Sequence, residues 1–411
     1  MSQLDAGGGP VARRPRDPRI DAFRGLALIM IFVDHVPGNP YEQFTIRNLG
    51  FSDAAEAFFV MSGVAAGLAY SGRFLPDTVA KNGLWHAISP IWHRAWVLYL
   101  VQIFLTVWAI AIYSSGAMAF DMPALLKQIN LTQVFENTQS TLVGIPALLH
   151  QLGYVNILPA YMVLLAMTPF AIMLGLRHPW LLAAASALLW FSAGLWRLNL
   201  PNFPNPGGWF FNPFAWQAVF MCGLLIGLSL GRKERFVPKS RALFALSVGF
   251  LLFVLAWRYV PGVGPYLNHQ MARLGGLGVP FNLVSHDKTF LALPRLLHCL
   301  ALVYALSCLG FVFRATASPL SAPLRLLGRN GLLVFASGTL LALTLNVLLK
   351  GADGALISPV ILPPIGVLAM LAIAWLREAT ASKKAPIVYA THPETGRITP
   401  TLRSRWRWRA S

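Results

Sequence analysis

"RGLALIMIFVDH", residues 24–35, is an apolar run with an arginine at one end and an aspartate–histidine pair at the other. It follows "DPRID" (17–21), where Asp17 is placed to cap a helix and Pro18 to occupy its first position. In a helix, eleven steps of 100° bring Arg24 and His35 to within about 20° of one face, about 16 Å apart along the axis. Asp21, fourteen steps before His35, falls on the same face. Ionisable groups inside an apolar span are costly, and they turn toward a cavity or a partner rather than toward lipid. The stretch therefore reads as a membrane helix whose one charged stripe is aimed at the interior of a bundle.

The remainder of the chain supports that class. Of 411 residues, 56% are hydrophobic and 12% charged, about half the charged share of a soluble domain; the mean hydropathy is +0.58. Apolar runs of spanning length recur near 19–36, 53–71, 89–114, 154–175, 179–196, 213–230, 240–260, 290–313, 328–349 and 357–377. No series of alternating segments of about ten residues, as in a membrane β-barrel, is present. The expected fold is all-α and polytopic, with about ten transmembrane helices in one domain over 19–378. A Gly/Pro/Arg-rich segment, 1–18, is expected to be disordered, and 379–411 to form a basic tail. The polar stretch 121–150 cannot span and is expected to lie, amphipathic or re-entrant, over an opening.

The net charge of +18 raises nucleic acid as a partner, but the placement of charge excludes it as the main one. With a cytoplasmic N-terminus and ten spans, 24 of the 33 basic residues fall on the cytoplasmic side. Seven (Arg47, Lys127, Arg197, Arg258, Arg273, Lys288 and Lys350) fall on the other, the positive-inside pattern with both termini in. The tail interleaves arginine with Trp406 and Trp408, a composition suited to anionic membrane lipid. Cys222, Cys299 and Cys308 sit in apolar segments with neither metal-ligand spacing nor a disulfide framework.

Several residues are candidates for chemistry. His35 can take a proton near neutral pH, and the adjacent Asp34 can orient it or stabilise its cation; a water-solvated interfacial histidine is the plainer alternative. Asp53 and Glu56 have capping-box spacing before "AFFVMSGVAAG", so Glu56 is either a cap or a site residue. Ser62, Gly63, Ala66 and Gly67 form a small-residue face for close helix packing. Arg295, inside a span with His298 one turn on, requires a carboxylate partner (Asp53, Glu56 or Asp287) or an anionic ligand. His93 and Arg94 sit where a cytoplasmic surface is expected, as lipid anchors or as an anion site. The loop 202–217 gathers Trp209, Phe210, Phe211 and Trp216 with Asn212 and Gln217, suited to a sugar ring or to an interfacial aromatic belt. No metal cluster, nucleotide loop or nucleophile elbow is present, which leaves histidine-based chemistry among hydrolases and transferases. A transporter using Asp21, Arg24, His35, Glu56 and Arg295 as a relay is the competing class.

"RDPRIDAFRGLALIMIFVDHVPGN", "RNLGFSDAAEAFFVMSG", "NPFAWQAVFMCG" and "DKTFLALPRLLHCLALVY" resemble, in this order over roughly 16–350, the OpgC family. These bacterial inner-membrane proteins substitute osmoregulated periplasmic glucans, and the family is similar to the acyltransferase-3 superfamily of membrane O-acyltransferases. The superfamily's arginine, ten residues, then histidine are Arg24 and His35 here, "FFVMSG" (58–63) resembles its second-helix signature, and its other arginine motif corresponds loosely to "HRAW", at Arg94. The resemblance implies transfer of an acyl group, succinyl first among candidates, from cytoplasmic acyl-CoA to a glucan hydroxyl. Acyl-CoA is then a co-substrate, with no permanently bound cofactor. His35 would act as general base with Asp34 or carry the acyl group itself. Arg24, Asp21, Glu56, Arg94, Arg295, His298, Trp209, Trp216, Asn212 and Gln217 would bind donor or acceptor, with Arg73, Arg325 and Arg329 as further cations for CoA phosphates.

Overall fold

The computed structural model describes residues 17–351, 358–383, 388–391 and 398–401. Its helices are α1 (Pro18–Asp34), α2 (Ile46–Leu49), α3 (Ala54–Tyr70), α4 (Pro76–Asn82), α5 (Leu84–Ala119), α6 (Thr132–Glu136) and α7 (Thr138–Gly144). They continue as α8 (Ile157–Arg177), α9 (Pro179–Leu195), α10 (Pro213–Gly231), α11 (Arg241–Tyr259), α12 (Val263–Gly276), α13 (Leu293–Cys308) and α14 (Gly310–Ala317). The last are α15 (Ala322–Arg329), α16 (Gly331–Gly351) and α17 (Leu362–Lys383). A short antiparallel pair, β1 (Val388–Thr391) with β2 (Ile398–Thr401), follows α17. Of the segment 1–18 expected to be disordered, 1–16 lies outside the described residues, as does the Trp406–Trp408 tail, whereas Asp17 and Pro18 are ordered at the start of α1.

Among the described residues seven helices are long and apolar enough to cross a membrane: α3, α5, α8, α10, α11, α16 and α17. An eighth is made by α13 and α14 if the 81° bend between them lies within one span. The protein is a multi-pass, all-helical membrane protein. Each of the ten expected spans falls on a helix, although α1 and α9 stop at 17 residues each, whereas the α3 span reaches 21 by continuing through a 3-10 turn to Phe74. The expected span at 290–313 runs across the bend, and α17 continues past the expected boundary at 378. Helix α12 was not among the ten spans; it forms a polar-faced hairpin with α11, tied by Trp257 Nε1 to Asn268 Oδ1 at 3.2 Å.

Local signals set the helix starts. Asp17 caps α1, accepting from the Arg19 amide at 2.9 Å, with Pro18 in the first turn. Asp53 and Glu56 form a reciprocal capping box at α3. Asn212 caps α10 through the Phe214 amide at 3.0 Å, with Pro213 next.

Two seams built from small residues bring backbones together. On α3 and α10, a Cβ at Gly63 would stand 2.1 Å from Phe220 O, and one at Gly223 would stand 2.1 Å from Val60 O. On α1 and α15, a Cβ at Gly25 would meet Leu324 O at 2.0 Å, and one at Gly328 would meet Asp21 O at 1.8 Å. Only glycine admits such approach, and lipid-immersed helices associate through this packing because lipid removes the hydrophobic drive between them. At one end of the bundle, the polar stretch 121–156 packs inward through fully buried Leu125, Leu131, Leu152 and Val155. Asn130, Gly153 and Tyr154 of the same stretch line an opening there.

Candidate functional site

That opening is a cavity of about 1070 Å³ at the His35 end of α1. Asp34, His35, Asp53, Lys288 and Arg295 line it, with aromatic walls from Phe51, Tyr154, Phe210, Phe211 and Trp257. His35 is the C-cap of α1, where its amide bonds back to Phe32 O and Val33 O. Buried Asn39 fixes the chain's exit by donating to Val33 O at 2.9 Å and Val36 O at 2.6 Å. The His35 ring rests against Tyr154, centroids 4.6 Å apart and planes inclined by 56°. Its Nδ1 is buried with no hydrogen-bond partner. The Asp34 carboxylate accepts from Thr45 Oγ1 at 2.7 Å, so its bond goes to the following loop and not to the imidazole.

A four-member charge cluster forms part of the cavity wall, with Asp53, Lys288 and Arg295 lining it and Glu56 behind them. Arg295 donates from Nε to Glu56 Oε1 at 2.8 Å and from Nη2 to Asp53 Oδ2 at 3.1 Å. Lys288 Nζ also bonds Asp53 Oδ2. The other Glu56 oxygen accepts from the Asp53 amide at 2.9 Å, so the fully buried Glu56 caps α3 and neutralises Arg295 together. Two carboxylates balance two cations, and breaking such a buried set leaves an uncompensated charge. Of the three partners expected for Arg295, Asp53 and Glu56 are used, and Asp287 instead accepts from the Phe290 amide at 2.7 Å.

Two neighbouring candidates, His298 and Trp216, support this cluster rather than face the cavity. His298 is buried, with Nδ1 2.7 Å from Ser52 Oγ and its ring against Gly50, where a Cβ would come within 2.1 Å of Nε2. It thereby positions the Gly50–Ser52 turn that leads into Asp53. Trp216 is fully buried and donates to Lys288 O at 2.9 Å, setting the backbone that carries Lys288. Asn212 donates to Leu198 O at 2.7 Å, and Gln217 accepts from Ser186 Oγ at 2.6 Å. Trp209 is buried as well. None of these four lines the cavity; from the same loop, Phe210 and Phe211 do. The indoles were drawn into the core because each is large enough to fill space between helices, and Trp216 has a carbonyl for its N–H.

His286, in the segment before α13, also lines the cavity. Burial first, and then the positive charges of Arg295 and Arg258, push its imidazole below the ordinary range.

Asp21 and Arg24 lie at the opposite end of α1. Asp21 is buried under α15, and Arg24 Nη2 donates to Met61 O of α3 at 3.3 Å. The Arg24 side chain also packs on Gly331 at the start of α16. Between this end and His35, Leu28, Phe32, Phe335 and Met370 bound a void of about 10 Å³, room for about one water molecule. Arg24 and His35 thus share one face of α1, as their spacing requires, with a closed apolar plug between them.

Arg94 and Arg73, both half-buried, the latter 3.4 Å from His86, carry no carboxylate partner among the described residues. Arg325 instead donates to Thr316 O and Ser318 O, and Arg329 pairs with Glu378 at 2.9 Å. Those two are consumed by the fold.

A family model described as OpgC protein matches residues 16–382. No curated protein matches the chain.

Proposed function

The chain belongs to the OpgC family, and on that premise we propose that it transfers an acyl group, succinyl first among candidates, from acyl-CoA to a hydroxyl of a periplasmic glucan. The family supports an acyltransferase role with an acyl-CoA co-substrate. The observation that carries the finer reading is the cavity of about 1070 Å³, which has an imidazole at its floor and aromatic walls of the kind that stack on sugar rings.

In this reading ten helices cross the bacterial inner membrane, both termini are cytoplasmic, and the His35 end opens to the periplasm. The glucan hydroxyl enters against Phe210, Phe211 and Trp257. His35 Nε2 takes the hydroxyl proton as the oxygen attacks the thioester carbonyl; the carbon–sulfur bond breaks, and the proton passes on to the CoA thiolate. Arg295, held by Asp53 and Glu56, stands at the cavity wall and places a fixed positive charge near the developing oxyanion. On the cytoplasmic side Arg94 and Arg73 are cations without a carboxylate partner among the described residues and would take CoA phosphates. The pantetheine arm then follows the α1–α16 seam, whose length from Arg24 to His35 is about 16 Å. Leu28, Phe32, Phe335 and Met370 must part for it to reach His35.

The test combines purified protein in nanodiscs, succinyl-CoA and unsubstituted glucan, with the glucan analysed by mass spectrometry. A mass gain of one succinyl group per substitution is the expected result. Uptake of glucan into proteoliposomes without any mass gain would instead establish a transporter.

A further inference from the structure

The cavity holds more positive charge than its own carboxylates use. Arg47, Arg258, Lys288 and Arg295 line it, against Asp34 and Asp53. Lys288 and Arg295 are spent on Asp53 and Glu56, and Asp34, bonded to Thr45, offsets part of the field of Arg47 without pairing with it. Arg47 and Arg258 remain without a carboxylate partner among the described residues.

The fold brings these two to one rim through a single residue. Asn48, next in sequence to Arg47 on α2, accepts from Arg258 Nη2 at its side-chain oxygen, 3.0 Å, and from Tyr259 Oη at its backbone oxygen, 2.6 Å. Its own amide donates to Glu42 O at 2.7 Å. The end of α11 is therefore clamped to α2 by neutral groups, which orient the Arg258 guanidinium without neutralising it. A guanidinium has five N–H donors in a planar fork that matches a carboxylate; Asn48 occupies one. Charge placement adds weight. On the side where the acyl-transfer reading puts the cavity, basic residues are sparse, yet three of the seven (Arg47, Arg258 and Lys288) line it.

We propose that Arg47 and Arg258 form a carboxylate-binding site at the cavity rim that takes the free carboxylate of a dicarboxylic acyl group. The site thereby selects a succinyl-type group over an uncharged acyl group of equal length. The ligand rests on the acyl-transfer reading; the cation pair does not. Carboxylates already carried by a glucan offer the same chemistry, and the experiment separates the two sources.

Wild type, R47Q and R258Q are compared in nanodiscs with succinyl-CoA and with butyryl-CoA, which replaces the carboxylate by a methyl group, using unsubstituted glucan as acceptor. For succinyl transfer, kcat/KM is expected to fall about tenfold or more in each variant, as loss of a charge-assisted hydrogen bond implies, while butyryl transfer stays within about twofold. Equal losses for both donors, or no loss for either, overturn the selection of the donor. In a second arm, succinyl-substituted and unsubstituted glucan are titrated onto the same three proteins. A preference for the substituted glucan that both variants abolish keeps the carboxylate site and assigns it to the glucan. If donor selectivity and glucan preference are the same in all three proteins, the site is overturned. Wild type that transfers neither acyl group defeats the acyl-transfer reading alone, and the titration then decides the carboxylate site.

Discussion

Helix α3 is held in two different ways along its length. At its first turn, Asp53 and Glu56 are fixed by Arg295 and Lys288, residues that arrive from more than two hundred positions away. Further along, Gly63 and Gly67 lie against the backbone of α10 with no polar contact, the approach set by van der Waals surfaces alone. The packed half is rigid and apolar, as lipid demands. The charged half tolerates four ionisable groups because opposite charges face one another there, and it forms part of the wall of the cavity. A fixed seam thus carries a preorganised electrostatic site at its end.

The largest expected effect comes from breaking the seam. Gly223→Leu drives a side chain into Val60 O and must separate α3 from α10; the variant is expected to yield no monodisperse protein by size-exclusion chromatography. Breaking the charged end is the next largest. Arg295→Met leaves Asp53 and Glu56 with Lys288 alone, and thermal unfolding should show a loss of about 3–5 kcal/mol. If that variant melts like wild type, the cluster contributes nothing to stability and the contrast between the two halves fails.

A smaller loss is expected at Gln217→Leu, which removes the Ser186 contact on the far side of α10. About 1–3 kcal/mol should go, with glucan affinity unchanged because Gln217 does not face the cavity. The smallest effect is a slope with pH. His286 has a folded pKa below its unfolded one, so its unfolded form binds protons more readily. The stability it contributes is complete above the unfolded value and is lost as pH falls through the folded one. His286→Phe should therefore flatten the acid side of the melting-temperature profile.

The local signals of both halves were legible in the sequence, and the long-range contacts of the charged half were less so. Asp17 with Pro18, the Asp53–Glu56 box and the Ser62–Gly67 face are local patterns, and each acts in the structure as its spacing implies. The shared face of Arg24 and His35 follows from helix geometry alone. Both roles of Glu56, cap and partner of Arg295, were legible only as alternatives; that its two oxygens serve both at once depends on where Arg295, 239 residues away, is brought by the fold. Nor was the division within residues 209–217, where composition is uniform but burial is not. Phe210 and Phe211 reach the cavity, whereas Trp209 and Trp216 fill the core. Asn39 before Pro40 has a cap pattern and does accept from the Tyr41 amide at 3.0 Å, but its bonds to Val33 and Val36 depend on a turn that only the folded chain makes. The bend between α13 and α14 was missed because the apolar run continues through it without proline.

In the proposed reaction the His35 imidazole at the cavity floor moves the proton in acyl transfer. The most direct test of that step is the rate of glucan succinylation by purified His35→Ala against wild type, with matched melting temperatures as the control for folding. The account predicts a folded variant whose transfer falls to the uncatalysed background. Succinylation at the wild-type rate by that variant would contradict it.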